Sequence, residues 1–274
     1  VGVGGWIAKQ ALNPINVIAD AAANIADADD LSTRLDWDGP MDELGRLTDV
    51  FNRMMARLER VFGIQQSFIS DVSHELRTPL TSVIGNLELM ERYGVDQSSI
   101  EAIHREAGRM TRMVNDLLLL ARADFGELQV DFYPVDLDAV VLEVYEQALI
   151  MANNRELEVV LKRVEHVRIE SNVDRVKQLM LNLVGNAIKF TSDGGTISLA
   201  VYPDGTDAVI EVHDTGIGIS PQDLQRIFDR FFQADASRVH HDDADGAGLG
   251  LSIARWIVDI HSGRRIRFHH SLAL

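Results

Sequence analysis

Leu44, Leu47, Phe51, Met54, Leu58 and Val61 recur at alternating spacings of three and four. That rhythm puts all six on one stripe of an α-helix and makes the stripe a coiled-coil seam. Continuing the count gives Gln65, Phe68 and Val72, with Gly63 close to the one polar member. The helix is therefore expected to run on with little interruption, through a weak point at Gly63 and Gln65, because a polar seam residue and a glycine both lower helix stability. Upstream, Pro14 suits a helix start, and Ile15, Ile18, Ala22 and Ile25 follow at helical spacing. A connector rich in Asp, punctuated by Gly39 and Pro40, is long enough to let these two helices lie parallel. Two copies of such a pair would form a four-helix bundle.

The continuing helix carries Val72, Leu76, Leu80 and Val83 on its apolar face. His74 lies about 200° from Val72, so it points outward if Val72 points inward. Glu75 follows directly, and Thr78 is one turn on, on the face of His74. An exposed histidine beside an acid and a hydroxyl could accept and release a transferred group. A solvated surface histidine is the ordinary alternative. The helix is expected to reach Tyr93, with a kink near Leu76 imposed by Pro79, and to stop at Gly94. A second helix, Ser98 to Asp124, carries Ile100, Ile103, Ala107, Met110, Val114, Leu117 and Ala121 on its apolar face. Its run Leu117-Leu118-Leu119-Leu120 is apolar almost all round and is expected to be well buried. Two such antiparallel helices expose too much apolar surface alone, and dimerisation into a four-helix bundle would cover it.

From Val130 onward short apolar runs alternate with helical patterns. Strands are expected at Gln129–Phe132, Glu158–Leu161, Val167–Glu170, Thr196–Tyr202 and Ala208–His213. Helices are expected at Leu137–Ala152 and Val173–Phe190, and Pro203-Asp204-Gly205 reads as a hairpin turn. This is an α+β layer architecture, a mixed sheet with helices on one face. Three motifs in it suit a nucleotide. Asn182, Asn186 and Lys189 fall at i, i+4 and i+7 on one helix face, offering an amide oxygen to Mg²⁺ and an ammonium to phosphate. Asp214-Thr215-Gly216-Ile217-Gly218 follows a strand; its carboxylate can accept from an exocyclic amine, and its glycines let backbone approach a ring. Gly246-Ala247-Gly248-Leu249-Gly250 opens a helix, where backbone N–H groups and the dipole favour an anion. Singly, each has a plain structural reading as a polar helix face or a capping loop.

Composition removes several classes. The 274 residues carry a formal net charge of −16, which disfavours general nucleic-acid binding. The absence of cysteine excludes disulfides and thiolate metal sites. No apolar run reaches the ~18 residues of a complete membrane span. Residues 1–13, with Trp6 and Lys9 placed as interfacial anchors, read as the end of a transmembrane helix or as an N-terminal tail.

Taken together, the motifs resemble the sensor histidine kinases of two-component signalling. Ser73-His74-Glu75-Leu76-Arg77-Thr78-Pro79-Leu80 is similar to that family's phosphoacceptor box. Asp42-Glu43-Leu44-Gly45 and Phe51-Asn52-Arg53-Met54 resemble the HAMP signalling module, and Arg109 to Leu118 resembles the second helix of the dimerisation and phosphotransfer domain. The motifs around Asn186, Asp214 and Gly248 resemble the N, G1 and G2 boxes of the ATP-binding fold shared with gyrase and Hsp90. Ile227 to Gln233 resembles the kinases' F box. The resemblance covers residues 13 to 263 and implies a multidomain chain: a HAMP module over 14–62, an all-α four-helix-bundle dimerisation domain over 63–127, and an α+β sandwich ATP-binding domain over 128–274.

The function the resemblance implies is autophosphorylation of His74 from Mg-ATP, then transfer to an aspartate of a response regulator, within a homodimer anchored in the inner membrane with these domains in the cytoplasm. By the same resemblance Asn186 holds Mg²⁺ with Asn182 beside it, Lys189 contacts phosphate and Asp214 reads the adenine amine. Gly216, Gly218, Gly246, Gly248, Leu249 and Gly250 line the nucleotide, and Arg230 or Arg238 reaches the terminal phosphate. Glu75 would stabilise the imidazolium, and Thr78 would orient water for dephosphorylating the regulator. Two departures stand out. The stretch Val239 to Asp245 is acidic for a lid over a triphosphate, and its His240 and His241 read as solvated. After His261-Ser262-Gly263 one strand-like run fits, but the family's final apolar strand has no match. The alternative is therefore a catalytically impaired signalling scaffold of the same family.

Overall fold

The computed structural model describes residues 31–37, 39, 42–124, 128, 130–234 and 247–261. The expected helix beginning at Pro14, the stretch containing Trp6 and Lys9, the segment 235–246 and the run from Ser262 onward lie outside the described residues. The chain divides into two compact units, Val1–His74 and Glu75–Leu274.

In the first unit, α1 (Glu43–Tyr93) begins as the seam requires and then continues, 51 residues long, past the unit's end. Asp42 caps it, its Oδ1 accepting from the N–H groups of Leu44 and Gly45 at 3.1 Å each. The connector is pinned to this helix by one side chain. Asn52 Oδ1 accepts from Leu35 N at 3.0 Å, and its Nδ2 donates to Leu35 O at 2.9 Å. The amide thereby replaces a sheet or helix partner for a backbone that has neither. Leu35 and Met55 are buried, and Arg34 pairs with Glu59 on the outside. Of the seam, Leu47, Met54, Leu58 and Val61 remain exposed in the single chain.

In the second unit, the helix continues through Pro79, which is buried, to Tyr93, and Gly94 ends it at φ 95° with its N–H on Met90 O. Helix α2 (Gln97–Asp124) opens on Asp96, whose carboxylate takes the Ser99 N–H and the hydroxyls of Ser98 and Ser99. Met113, Leu119 and Leu120 on α2 are buried, in one apolar cluster with Leu179, Leu249, Ile253 and Ile257. The expectation that this end of the helix is well buried holds for Leu119 and Leu120 but needs correction at Leu118, which is 51% exposed. A helix turns 100° per residue, so Leu118 points away from the layer that covers its two successors. It joins Leu80, Ile84, Leu87 and Val114 as an uncovered apolar residue.

The α+β region has two described sheets. Strand β1 (Tyr133–Asp136) pairs antiparallel with β3 (Arg168–Ser171), Tyr133 opposite Ser171. The strand expected at Gln129–Phe132 is thus displaced towards the C-terminus. Pairing stops where β3 stops, so Phe132 has no strand opposite it, and Pro134 is tolerated in a two-stranded sheet that is all edge. The other sheet has the order β2 (Glu158–Val164), β4 (Thr196–Asp204), β5 (Asp207–Asp214), with β2 parallel and β5 antiparallel to β4. The central strand β4 is buried from Ile197 to Val201. Helices α3 (Leu137–Met151) and α4 (Val173–Phe190) pack on this sheet, burying Val140, Val144, Met180 and Val184 with Leu199 and Val201. Asn172 caps α4, its Oδ1 accepting from Arg175 N at 3.1 Å. Helix α5 (Gly250–Ile260) lies against α4.

Candidate functional site

His74 and Thr78 are exposed on α1, as their spacing from Val72 requires. Glu75 is half-buried, with its Oε2 3.8 Å from Arg109 Nη2, so this carboxylate faces a cation on α2.

The other site residues converge because two glycine-bearing loops meet α4, one midway along it and one at its C-terminal end. Asn182, Asn186 and Lys189 are half-buried on this helix. Asn182 Nδ2 donates to Gly250 O at 3.0 Å, which ties the first motif to the third at the start of α5. The Asn186 side chain makes no hydrogen bond among the described residues, so its amide oxygen is open to a ligand. Lys189 Nζ lies 5.0 Å from the Phe190 ring centroid. At the C-terminal end, Phe190 O accepts from Ile217 N at 3.2 Å, which ties the first motif to the second. Asp214 ends β5, and its Oδ1 accepts from Gly216 N at 2.9 Å, orienting the carboxylate by the loop's own backbone.

Glycine is required at position 216. A Cβ there would stand 2.4 Å from Phe190 O and 2.8 Å from Asp214 Oδ1. Gly248 is constrained differently: its φ is 68°, and a Cβ would lie 2.8 Å from the Phe231 backbone. Phe231 itself has φ 60°, held by its N–H on Gly248 O at 3.0 Å. A bulky residue in that region is strained, and such strain collects at binding sites. Leu249 is buried, and Gly218 has nothing within 4 Å of an added Cβ. Gly246, Arg238, His240 and His241 lie outside the described residues. Arg230 Nη2 donates to Asp124 Oδ1 at 2.7 Å, so this guanidinium is engaged at the end of α2.

These residues suit a magnesium nucleotide. A half-buried amide oxygen, an ammonium, an oriented carboxylate and an open glycine face next to it are the donor types that a metal-bound phosphate chain and a purine amine require. Mg²⁺ takes few protein ligands when phosphates supply the rest, so no acidic cluster is needed. Among the described residues no group of three or more His, Cys, Asp or Glu is placed to hold a metal.

Some contributors were not singled out in the sequence. Thr215 Oγ1 accepts from Thr196 N at 2.9 Å, fixing the loop to β4; it stood inside the Asp214 motif without an assigned task. Phe231 stood inside the Ile227–Gln233 motif, but nothing in its identity calls for its positive φ.

Comparison with known proteins finds three domain families along the chain. A family described as histidine kinase-, DNA gyrase B-, and HSP90-like ATPase matches residues 171–272. The His Kinase A (phospho-acceptor) domain matches 64–126, and the HAMP domain matches 6–60. The signal transduction histidine-protein kinase BaeS of Escherichia coli strain K12 is 32% identical over 96% of this chain and 56% of its own length. The sensor histidine kinase YkoH of Bacillus subtilis strain 168 is 34% identical over 94% of this chain and 56% of its own length. The chain thus spans about half the length of the curated relatives it matches. Among solved structures, the Acinetobacter baumannii histidine kinase AdeS superposes with a TM-score of 0.55 at 23% identity, covering 68% of this chain and 86% of that one. Histidine kinase ThkA, in complex with response regulator protein TrrA, superposes with a TM-score of 0.51 at 24% identity, covering 68% of this chain and 57% of that one. At these identities the likeness concerns the fold. With all three domain types matched in order along one chain, this protein belongs to the HAMP-containing sensor histidine kinases.

Proposed function

We propose that this chain is an ATP-dependent protein-histidine kinase that phosphorylates its own His74 and passes the phosphoryl group to an aspartate of a response regulator. The observation that carries the reading is the joining of three sequence-distant motifs at α4. Asn182, midway along the helix, donates to Gly250 O, and Phe190, its last residue, accepts from Ile217 N. Phosphoryl transfer needs positioning and charge neutralisation more than covalent chemistry, and such a frame supplies both.

Bound Mg-ATP supplies the phosphoryl group. Asn186, with Asn182 beside it, would hold the metal, Lys189 the phosphates, and Asp214 the purine amine, with the backbone at Gly216, Gly218, Gly248, Leu249 and Gly250 lining the nucleotide. Arg230 would reach the terminal phosphate on leaving Asp124. His74 acts as the nucleophile through its exposed imidazole. Glu75 stabilises the imidazolium that forms, and Arg109 holds its carboxylate near α2. Thr78 orients water when the regulator's phospho-aspartate is hydrolysed, giving a phosphatase activity. The uncovered Leu80, Ile84, Leu87, Val114 and Leu118 favour a homodimer through a four-helix bundle. Among the described residues no helix is long and apolar enough to cross a membrane.

Titration with a non-hydrolysable Mg-ATP analogue tests the nucleotide frame. Saturable binding that Asn186→Ala and Asp214→Ala both weaken by at least tenfold supports it. Failure of the folded parent chain to bind would overturn it.

A further inference from the structure

Arg155 lies in the loop after α3, outside every motif described above. Its guanidinium makes three contacts at the far end of α4. Nε donates to Asp193 Oδ1 at 2.7 Å, Nη1 to Ile188 O at 3.2 Å and Nη2 to Thr191 O at 2.8 Å. The last carbonyls of a helix lack intrahelical donors and carry its negative dipole end, so a planar cation with a fork of N–H groups suits them. The two carbonyls gripped are those on either side of Lys189 and Phe190. Phe190 O is the acceptor for Ile217 N, and it is the atom that a Cβ on Gly216 would strike first.

We propose that Arg155 is a positioning residue for the nucleotide loop. By fixing the α4 terminus it sets where Phe190 O stands, and through Ile217 and Gly216 it sets the Asp214 carboxylate. The same clamp holds the backbone that carries Lys189. The inference rests on the nucleotide reading above and adds a residue that touches no nucleotide. Arg155 is not needed to keep the turn attached, because Gly194 N donates to Glu156 O at 2.6 Å and Glu158 N to Gly195 O at 2.9 Å. Its loss therefore frees the helix end without unfolding the sheet. Small misplacements of positioning groups carry large costs in site function.

The test compares the full chain with Arg155→Ala and Arg155→Lys by calorimetric titration with a non-hydrolysable Mg-ATP analogue and by amide hydrogen exchange without nucleotide. The alanine variant is expected to bind about tenfold more weakly, the scale of one charge-assisted hydrogen bond. Lysine, which keeps the charge and loses the fork, is expected to fall between. Exchange at Ile217 should quicken in the alanine variant while Val201, in the central strand, stays protected. A merely structural role would loosen both amides together. Parental affinity with unchanged exchange at Ile217 would overturn the proposal. So would equal loosening of Ile217 and Val201 in both variants. If no chain binds the analogue while Ile217 alone quickens, the positioning role stands and the nucleotide reading fails.

Discussion

Gly216→Ala puts the nucleotide loop to a quantitative test. The new Cβ would be 2.4 Å from Phe190 O and 2.8 Å from Asp214 Oδ1. Carbon and carbonyl oxygen settle near 3.3 Å at closest, so the loop must recede by about 1 Å. Phe190 O cannot yield, because it belongs to the last turn of α4, clamped on both sides by Arg155. The 3.2 Å bond from Ile217 N would then stretch beyond hydrogen-bonding range. Overpacking of this kind costs about 1–3 kcal/mol. In a unit of this size each kcal/mol lowers Tm by about 2–4 °C, so a fall of about 2–12 °C is expected. The Asp214 carboxylate moves with the loop. Losing the hydrogen bond proposed for it to a purine amine, worth about 1.5–3 kcal/mol, would weaken the Mg-ATP analogue by about 10- to 150-fold. Gly185→Ala is the control: its Cβ would meet only Met151 Cε, at 3.9 Å, and alanine favours a helix interior. Thermal unfolding and calorimetric titration read both effects. Parental Tm and parental affinity in Gly216→Ala would refute the steric argument, and normal affinity with a lowered Tm would refute the link to Asp214.

Three further outcomes are expected. Gly63→Ala, at an exposed helix position with nothing within 4 Å, should stabilise α1 by about 1 kcal/mol and, combined with Gln65→Leu, shift the kinase-to-phosphatase ratio; an unchanged ratio would remove this junction from signal relay. Thr78→Ala should lower regulator dephosphorylation while sparing autophosphorylation, and equal loss of both would argue against a water-orienting role. Hydrogen bonds from Ser98 and Ser99 hold the Asp96 carboxyl at a pKa of about 2, below the ordinary 3.8. A depressed folded-state pKa contributes stability that is complete above about pH 4 and fades as the pH falls through about 2. Asp96→Ala should therefore lower Tm at about pH 6 and progressively less towards about pH 2, whereas a constant difference across that range would contradict the cap.

Some of this architecture was legible in the residues because local chemistry decided it. Helix α4 runs over the expected Val173–Phe190, with Asn172 capping its start and apolar periodicity setting its face. The uninterrupted passage of α1 through Gly63 and Gln65 was legible from the seam count. What escaped was set by partners distant in the chain. Strand β1 falls where β3 offers pairing, and Leu118 is exposed because of which layer lies across from it. The Asn52 clamp on Leu35 and the Arg155 clamp on α4 join residues 17 and up to 38 apart, which no periodicity reports. At the site, the motifs named the residues that suit a nucleotide. They did not reveal that Phe190 O is the point to which the Asp214 loop is registered, because a backbone carbonyl has no sequence signature.

The central claim is that His74 receives phosphate from the frame built around Asn186 and Asp214. The most direct measurement is incubation of the full chain with labelled Mg-ATP, beside His74→Gln and Asn186→Ala. The account predicts acid-labile, base-stable label on the parent chain and none on either variant. Label that persists in His74→Gln, or a folded parent that takes up none, would contradict it.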